Sequence, residues 1–174
     1  MGISDYFARR KLIKLAELGN VEAQYATGLM YGLGAGVSLN DAKSKKWLRK
    51  AAEQGHVEAQ YELGTYYSFE DEDESIAWYM KAAEQGHADA QYNLGMIYFR
   101  NEKFSDASQW FIMAAEQNQP EALLISEAQF MLGRMNDEGF GMEKNKSKAT
   151  YWFNKAALNG NDSAQKWLET GRFI

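Results

Sequence analysis

The pentapeptide Ala-Ala-Glu-Gln-Gly decides the fold of this chain, and it occurs at residues 51–55 and again at residues 82–86. Variants of it stand at residues 15–19, 114–118 and 156–160. In four of these segments a tryptophan precedes the last residue by eight positions, namely Trp47, Trp78, Trp110 and Trp152. An internal repeat of this length predicts stacked modules that bury a common core between neighbours.

Each repeat is predicted to contain two helices joined by a turn. The first helix begins near an Ala-Gln pair that recurs every 31 to 38 residues, with its alanine at Ala23, Ala59, Ala90, Ala128 and Ala164. The second helix is expected to begin near Asp41, Asp73, Ser105 and Lys146 in the four repeats. It has the i, i+4, i+7 spacing of an amphipathic helix at Trp47, Ala51 and Gln54. The closing glycine, or Asn118 in the third repeat, predicts a left-handed helix C-cap. The tryptophans are interpreted as core residues because they recur in every repeat.

The repeat resembles the Sel1-like repeat family, which is related to the tetratricopeptide repeat. The resemblance rests on Leu63-Gly64, Tyr67, Trp78 and the segment 81–86, and the first repeat adds Gly34, Gly36-Val37 and Asp41. The middle repeats approach the tetratricopeptide repeat in length, so a mixed stack is an equal alternative. The resemblance implies a scaffold or adaptor that binds other proteins.

We therefore predict an all-α fold, a right-handed α/α solenoid of about four helix–turn–helix repeats with half-repeat caps. The expected boundaries are an N-terminal capping helix at 1–18, repeats at 19–54, 55–85, 86–118 and 119–159, and a C-terminal capping helix at 160–174. An insert at 119–127 is interpreted as part of an elongated first helix that runs from about Pro120 to Met135.

Composition excludes several functional classes. The net charge of −5 and the pI of about 5.2 argue against a general nucleic-acid binder. The absence of cysteine excludes disulfide bonds and thiol catalysis. No segment has the length and hydropathy of a membrane span, so membrane insertion is not expected. The chain is expected to be cytoplasmic as written, or periplasmic or secreted if a signal peptide has been removed.

Neither a metal site, a cofactor site nor a catalytic set is predicted. His56 and His87 are the only histidines, and both directly follow a motif glycine, at positions where Asn20 and Asn161 stand in other repeats. These positions suit the start of a helix better than a metal pair. The acidic run 70–74 is interpreted as a solvated loop, with a contact for a basic partner as the alternative.

A binding groove is predicted by analogy with tetratricopeptide repeats, in which the first helix of each repeat lines the concave face. The groove residues implied are Tyr25, Leu29, Tyr61, Glu62, Thr65, Tyr92, Asn93, Met96, Phe99, Phe130 and Arg134. Aromatic residues with Met and Asn beside them are typical of a protein or peptide contact surface. The equal alternative is that the tyrosines only pack between repeats.

These features predict a bacterial, non-enzymatic scaffold or adaptor that binds a protein or peptide. They leave the oligomeric state open, with a monomer favoured. One alternative is an immunity or inhibitor protein that neutralises a bacterial toxin or effector, because an acidic surface suits a basic effector. A second, from a different class, is a hydrolase, although the usual bases and nucleophiles are scarce.

Overall fold

The structure is a computed structural model that describes residues 3–117 and 124–171, with side chains from residue 6 onward. These residues form ten α-helices and no strand. The helices are α1 (Ile3–Glu17), α2 (Val21–Leu33), α3 (Asp41–Glu53), α4 (Val57–Tyr67), α5 (Glu72–Glu84), α6 (Ala88–Arg100), α7 (Phe104–Ala115), α8 (Ile125–Glu138), α9 (Lys146–Leu158) and α10 (Asp162–Thr170). The predicted all-α helical repeat fold is confirmed.

The chain divides into two compact units. The N-terminal unit, Met1–Gln85, contains α1 and the helix pairs α2–α3 and α4–α5. The C-terminal unit, Gly86–Ile174, contains the pairs α6–α7 and α8–α9 and then α10. Each pair is one repeat, while α1 and α10 are the predicted half-repeats. The predicted residue boundaries between repeats stay predictions.

The motif glycine ends the second helix of the first, second and fourth repeats in the left-handed region, as predicted. Gly55 has φ +91°. Its N–H donates to the Ala52 carbonyl at 3.0 Å, and the His56 N–H donates to the Ala51 carbonyl at 3.1 Å. This pair of bonds is a Schellman motif, which satisfies carbonyls that the helix leaves unpaired. The equivalent glycines also have positive φ, at Gly19, Gly86 and Gly160. Asn118 lies outside the described residues.

The residue after the motif glycine caps the next helix. His56 Nδ1 accepts a hydrogen bond from the Ala59 N–H at 3.3 Å, and His87 does the same for Ala90. The asparagines that replace them elsewhere, Asn20 and Asn161, use their side-chain oxygens in the same way. The predicted structural role of the two histidines, at the start of a helix, is confirmed.

A glutamine at the start of each first helix links successive helices. Gln24 donates to the buried carbonyl of Ala16 at 3.2 Å and accepts from Gln54, the motif glutamine of the same repeat, at 2.6 Å. The same two contacts recur at Gln60, with Ala52 and Gln85, and at Gln129, with Ala115 and Asn159. The Ala-Gln pair and the motif glutamine therefore recur together because they bond to each other.

The residue after each tryptophan fills the core of its own repeat. A Cβ atom added to Gly95 in α6 would lie 2.6 Å from Cδ1 of Phe111 in α7. Glycine at this place therefore lets the two helices approach closely. The equivalent contacts are Gly28 with Leu48, Gly64 with Tyr79, and Gly133 with Phe153.

The tryptophans are less buried than the sequence predicts. Trp78 is buried, but Trp47, Trp110 and Trp152 are only half-buried. Because one step along a helix rotates a side chain by about 100°, the residue that follows the tryptophan takes the inward direction. The rings of Trp47, Trp78 and Trp152 lie beside the lysine three residues later, and the Lys81 ammonium is 3.9 Å from the centroid of Trp78.

Helix boundaries agree with the prediction except in the fourth repeat. The second helices begin within one residue of the expected positions 41, 73, 105 and 146. Helix α8 begins at Ile125 and continues to Glu138, three residues beyond the expected end at Met135, because the left-handed Gly139 is its C-cap. Pro120 and most of the predicted insert lie outside the described residues.

Candidate functional site

The predicted groove residues lie on the first helices of the four repeats. In the N-terminal unit they are Tyr25 and Leu29 on α2, and Tyr61, Glu62 and Thr65 on α4. In the C-terminal unit they are Tyr92, Asn93, Met96 and Phe99 on α6, and Phe130 and Arg134 on α8. All are half-buried except Thr65, which is exposed. Each side chain therefore has both a packed part and a part that a partner can reach.

Tyr25 forms the centre of an aromatic and acidic cluster in the N-terminal unit. Its ring lies against the imidazole of His56, with centroids 4.4 Å apart and an interplanar angle of 30°. His56 Nε2 is 3.4 Å from a carboxylate oxygen of Glu22, and Nδ1 is 3.3 Å from one of Glu58. Since Nδ1 accepts the Ala59 N–H, the proton of the neutral ring resides on Nε2 and faces Glu22. The acidic Tyr25 cluster is defined here as Tyr25, His56, Glu22, Glu58 and Glu62.

The carboxylates give the acidic Tyr25 cluster a negative electrostatic potential. Burial raises the pKa of the Tyr25 hydroxyl above its ordinary value, and the charges of Glu62, Glu58 and Glu22 raise that pKa further. Burial also raises the pKa of Glu62, because a half-buried carboxylate loses hydration. A positively charged group near Tyr25 would stabilise these carboxylates and would meet an aromatic ring that attracts cations.

Tyr61 belongs to a second aromatic contact of the same unit. Its ring centroid lies 5.9 Å from that of Tyr79, the residue that packs on Gly64. The Thr65 hydroxyl is 3.1 Å from the Tyr79 hydroxyl and 3.2 Å from the Tyr61 carbonyl. Tyr61 and Thr65 therefore form a polar edge over the core of the second repeat.

Tyr92 occupies the corresponding place in the C-terminal unit. Its ring centroid lies 5.8 Å from that of Phe111. Burial, followed by the charge of Glu127, raises the pKa of Tyr92 to about 12. Glu127 accepts a hydrogen bond from the Asn161 side chain at 2.9 Å. Asp89, on the same helix as Tyr92, is 9% exposed and its carboxylate accepts from the Leu124 N–H at 2.9 Å.

The other predicted residues of the C-terminal unit are engaged in packing. The Phe130 ring lies 5.7 Å from that of Phe153, and Arg134 pairs with Glu138 at 3.4 Å. Phe99 belongs to an aromatic group with Phe104 and Phe140, in which neighbouring centroids are 5.2 to 5.3 Å apart. Phe99 and Phe130 therefore take part in packing, and the binding prediction for both residues stays untested.

Sequence reasoning missed Glu22, Glu58 and His56 as neighbours of Tyr25. A signal for the carboxylates exists, because each stands two residues after a capping residue, Asn20 or His56. Acidic residues in a first helical turn are usually explained by the helix dipole alone. The stacking of His56 on Tyr25 joins residues of adjacent repeats, and no spacing within one repeat reveals it.

The charged runs have mostly intramolecular roles. Asp71 caps α5 by accepting from the Glu74 N–H at 3.1 Å, and Glu70 pairs with Lys45 of α3 at 2.6 Å. Arg49 donates to the Tyr67 hydroxyl at 2.5 Å and lies 3.9 Å from Glu74. The basic face of α3 therefore meets the acidic run within the N-terminal unit.

The described residues contain no cluster of metal-binding side chains and no helix that could span a membrane. In residues 3–117 and 124–171, no group of three or more His, Asp or Glu side chains is arranged to hold a metal ion. Within the same ranges, each helix is too short or too polar to cross a membrane.

The sequence pattern, the helix pairs and the glycine contacts identify the family. The Sel1 repeat profile matches residues 21–56, 57–87, 88–101, 104–119 and 126–161. The chain belongs to the Sel1 repeat family. Sel1 repeat proteins generally mediate protein–protein interactions and are typically non-catalytic scaffolds. Segments 88–101 and 104–119 correspond to α6 and α7, the two helices of one pair.

Two solved Sel1 repeat structures are similar in sequence and fold. A protective antigen of uropathogenic Escherichia coli strains that displays an SLR fold is 37% identical, with a TM-score of 0.78 over 90% of this chain. A Sel1 repeat protein from Oxalobacter formigenes is 33% identical, with a TM-score of 0.79 over 95% of this chain. This chain spans 34% and 49% of the lengths of those two proteins.

A more distant structure shares the fold alone. An immunity protein from Pseudomonas aeruginosa is 18% identical, with a TM-score of 0.52, over 88% of this chain and 74% of its own length. No curated protein matches this sequence significantly.

Proposed function

We propose that this Sel1 repeat chain is a non-catalytic module that binds a protein or peptide through its first helices, and that the acidic Tyr25 cluster receives a basic segment of that partner. The observation that carries the proposal is the position of Tyr25. It is a half-buried aromatic ring whose surroundings include three carboxylates, on a helix that the tetratricopeptide analogy assigns to the contact surface.

The composition of the cluster supports a lysine or arginine side chain as its ligand. A cation over a tyrosine ring contributes roughly 0.5–1 kcal/mol at an exposed site. Glu22 and Glu58 have side-chain exposures of 82% and 58%, so a partner can reach both carboxylates. Each exposed ion pair adds roughly 0.2–1 kcal/mol. The net charge of −5 favours the approach of a basic partner over longer distances.

Selection from a random peptide library tests this proposal and needs no candidate partner. The wild-type chain is expected to enrich peptides that contain lysine or arginine beside apolar residues. A variant with Glu22→Gln, Glu58→Gln and Glu62→Gln is expected to bind the enriched peptides roughly 3- to 150-fold more weakly, because three ion pairs are lost. Higher salt should weaken binding to the wild type.

A matched control has the same change of net charge at other places in the N-terminal unit. Glu17, Glu53 and Glu84 are exposed residues at the ends of α1, α3 and α5. A variant with all three changed to glutamine is expected to keep wild-type affinity. Enriched peptides without basic residues, or equal affinity for the two triple variants, would show that the cluster is not the binding site.

The immunity or inhibitor role is a second candidate, favoured by the same acidic cluster, which suits a basic toxin or effector as well as an adaptor's partner. The similarity to the Pseudomonas aeruginosa immunity protein supports the fold and nothing further. Genes next to the native gene distinguish the two roles. An adjacent toxin gene whose product binds this chain would support immunity, and the absence of such a gene would leave the adaptor role.

A further inference from the structure

The imidazole of His56 is enclosed within the N-terminal unit. Its side chain is only 7% exposed, although the carboxylates of Glu22 and Glu58 beside it are 82% and 58% exposed. Histidine is the residue type whose charge ordinarily changes between about pH 5 and 8. The capping of α4 by His56 explains its place at the start of the helix, but it does not explain why two carboxylates approach the ring.

Each ring nitrogen of His56 faces a carboxylate. Nε2 is 3.4 Å from Glu22 of α2, and Nδ1 is 3.3 Å from Glu58 of α4. In the neutral ring Nε2 carries the proton, because Nδ1 accepts the Ala59 N–H. Nδ1 and the Glu58 oxygen are then two acceptors that lie 3.3 Å apart. A second proton, on Nδ1, would give each carboxylate a donor.

Protonation of the ring therefore exchanges the helix cap for a second ion pair. The charged ring donates from both nitrogens, so Nδ1 bonds to Glu58 and no longer accepts from Ala59. A neutral hydrogen bond is replaced by a charge-assisted one, which is about twice as strong. The ring need not move far for this exchange, because Glu58 and the Ala59 N–H both already lie 3.3 Å from Nδ1.

The charged groups around the ring come from α2 and α4. Glu22 and Tyr25 belong to α2, while Glu58 and, one turn further along, Glu62 belong to α4. The helices α3 and α5 also pack on α4. The charged residues in their last turns are directed elsewhere or exposed, since Lys50 and Lys81 lie over Trp47 and Trp78, and Glu53 and Glu84 are exposed.

We propose that the protonated His56 ring takes the place of the partner's basic side chain at the acidic Tyr25 cluster, so that a basic partner binds more tightly at about pH 8 than at about pH 5.5. This inference rests on the function proposed above, because it concerns the regulation of the same site. The charged ring uses the contacts assigned there to the partner's cation. These are the Tyr25 ring, whose centroid is 4.4 Å from that of the imidazole, and the carboxylates of Glu22 and Glu58. A cation inside the protein that has these contacts occupies them and repels a second cation.

His87 provides a comparison in the C-terminal unit. It follows the motif glycine Gly86 and caps α6 through Nδ1, as His56 caps α4. The residue two positions later, equivalent to Glu58, is Asp89, whose carboxylate accepts from the Leu124 N–H. His87 therefore matches His56 as a helix cap but is not part of the acidic Tyr25 cluster.

The dependence of peptide affinity on pH tests the proposal. The probe is a labelled lysine-containing peptide enriched from the random library at about pH 8, and its affinity for the full chain is measured by fluorescence anisotropy at about pH 8 and about pH 5.5. The wild type is expected to bind about fivefold more weakly at the lower pH, which is the effect of one unit charge on another roughly 4 Å away in water. His56→Asn keeps the cap, as Asn20 and Asn161 do, and should not show this loss.

A matched control has the same substitution at the other histidine. His87→Asn should retain the wild-type loss of affinity. Burial raises the pKa of Glu62, so this carboxylate also loses charge as the pH falls. Its effect is common to the three proteins, and it cancels when the ratio of the affinities at the two pH values is compared among them.

Nuclear magnetic resonance of the free chain follows the exchange at Nδ1 without a partner. The Cε1–H signals of the two histidines report their protonation, and His87→Asn assigns them. As the His56 ring is protonated, the amide signal of Ala59 is expected to shift with it, because the hydrogen bond from the Ala59 N–H to Nδ1 is lost.

The outcomes separate this inference from the function on which it rests. A library that yields no basic peptide at the higher pH would overturn both. If a basic peptide binds equally well at the two pH values, or loses affinity equally in the wild type and His56→Asn, the proposed function stands and the role of His56 is refuted. An Ala59 amide signal that stays fixed while the His56 ring is protonated would also refute that role.

Discussion

Replacement of Gly95 by alanine tests whether close helix approach holds each repeat together. The added Cβ would lie 2.6 Å from both Cδ1 and Cε1 of Phe111, whose side chain is fully buried and cannot move into solvent. Overpacking of this kind costs roughly 1–3 kcal/mol. Alanine in place of glycine inside a helix returns about 0.8–1.0 kcal/mol. We therefore expect Gly95→Ala to lower the free energy of unfolding by about 1 kcal/mol, although alanine has a higher helix propensity than glycine.

A double-mutant cycle isolates the contact from the change in propensity. Phe111→Val removes Cδ1 and Cε1 and is expected to cost roughly 2–3 kcal/mol through the cavity it creates. In that background Gly95→Ala should be neutral or should stabilise by up to about 1 kcal/mol. The resulting coupling energy is about 1–2 kcal/mol.

The four proteins are compared by urea unfolding, monitored by far-ultraviolet circular dichroism. The slope of the free energy of unfolding against urea concentration should be the same for all four. If Gly95→Ala were as stable as the wild type, or if its effect were the same with and without Phe111, the close-approach argument would be refuted.

Three further predictions concern single side chains. His56→Ala should lower the free energy of unfolding by about 1 kcal/mol because it removes a helix cap, whereas His56→Asn should stay near wild type in the same urea assay, since Asn20 and Asn161 cap the same way. Thr27→Val should stabilise by about 1 kcal/mol in thermal unfolding, because the buried Thr27 hydroxyl has no hydrogen-bond partner among the described residues; a destabilised Val variant would contradict this. The pKa of Tyr92 is raised from 10.0 to about 12, so Tyr92 keeps its proton to higher pH in the folded state than in the unfolded state. Its contribution to the free energy of unfolding is therefore intact below pH 10 and is lost as the pH rises towards 12. Tyr92→Phe should make the free energy of unfolding less dependent on pH in this range, and phenolate absorbance should show one tyrosine fewer ionising near pH 12.

The contacts of the motif residues explain why so much of the fold could be predicted from sequence. Gly55 must be glycine because its φ is +91°, and Gln54 must reach Gln24 of its own repeat. These constraints are local or join the helices of one repeat, so they recur at a fixed spacing. The first residues of α3 and α9, Asp41 and Lys146, were predicted correctly for the same reason.

Burial of the tryptophans could not be predicted from recurrence alone. A residue can recur in every repeat whether it fills the core or lies at the edge of the core beside a lysine. Trp47 lies at the edge, with the Lys50 ammonium 4.6 Å from its ring centroid. The side chain that fills the core follows the tryptophan and varies among Leu48, Tyr79, Phe111 and Phe153. Because this position varies, its role in the core could not be recognised from the sequence. The variation is tolerated because the glycine on the facing helix leaves room for any of these side chains.

The sequence by itself determined the family, the helix order and the turns between repeats, because each of these depends on backbone conformations and hydrogen bonds within about one repeat length. Only the tertiary structure decided which polar residues surround Tyr25 and how deeply each tryptophan is buried. Both depend on contacts between different helices. The stacking of His56 on Tyr25 and the half-burial of Trp47 are set by what lies opposite a side chain, and one-dimensional spacing carries no such information.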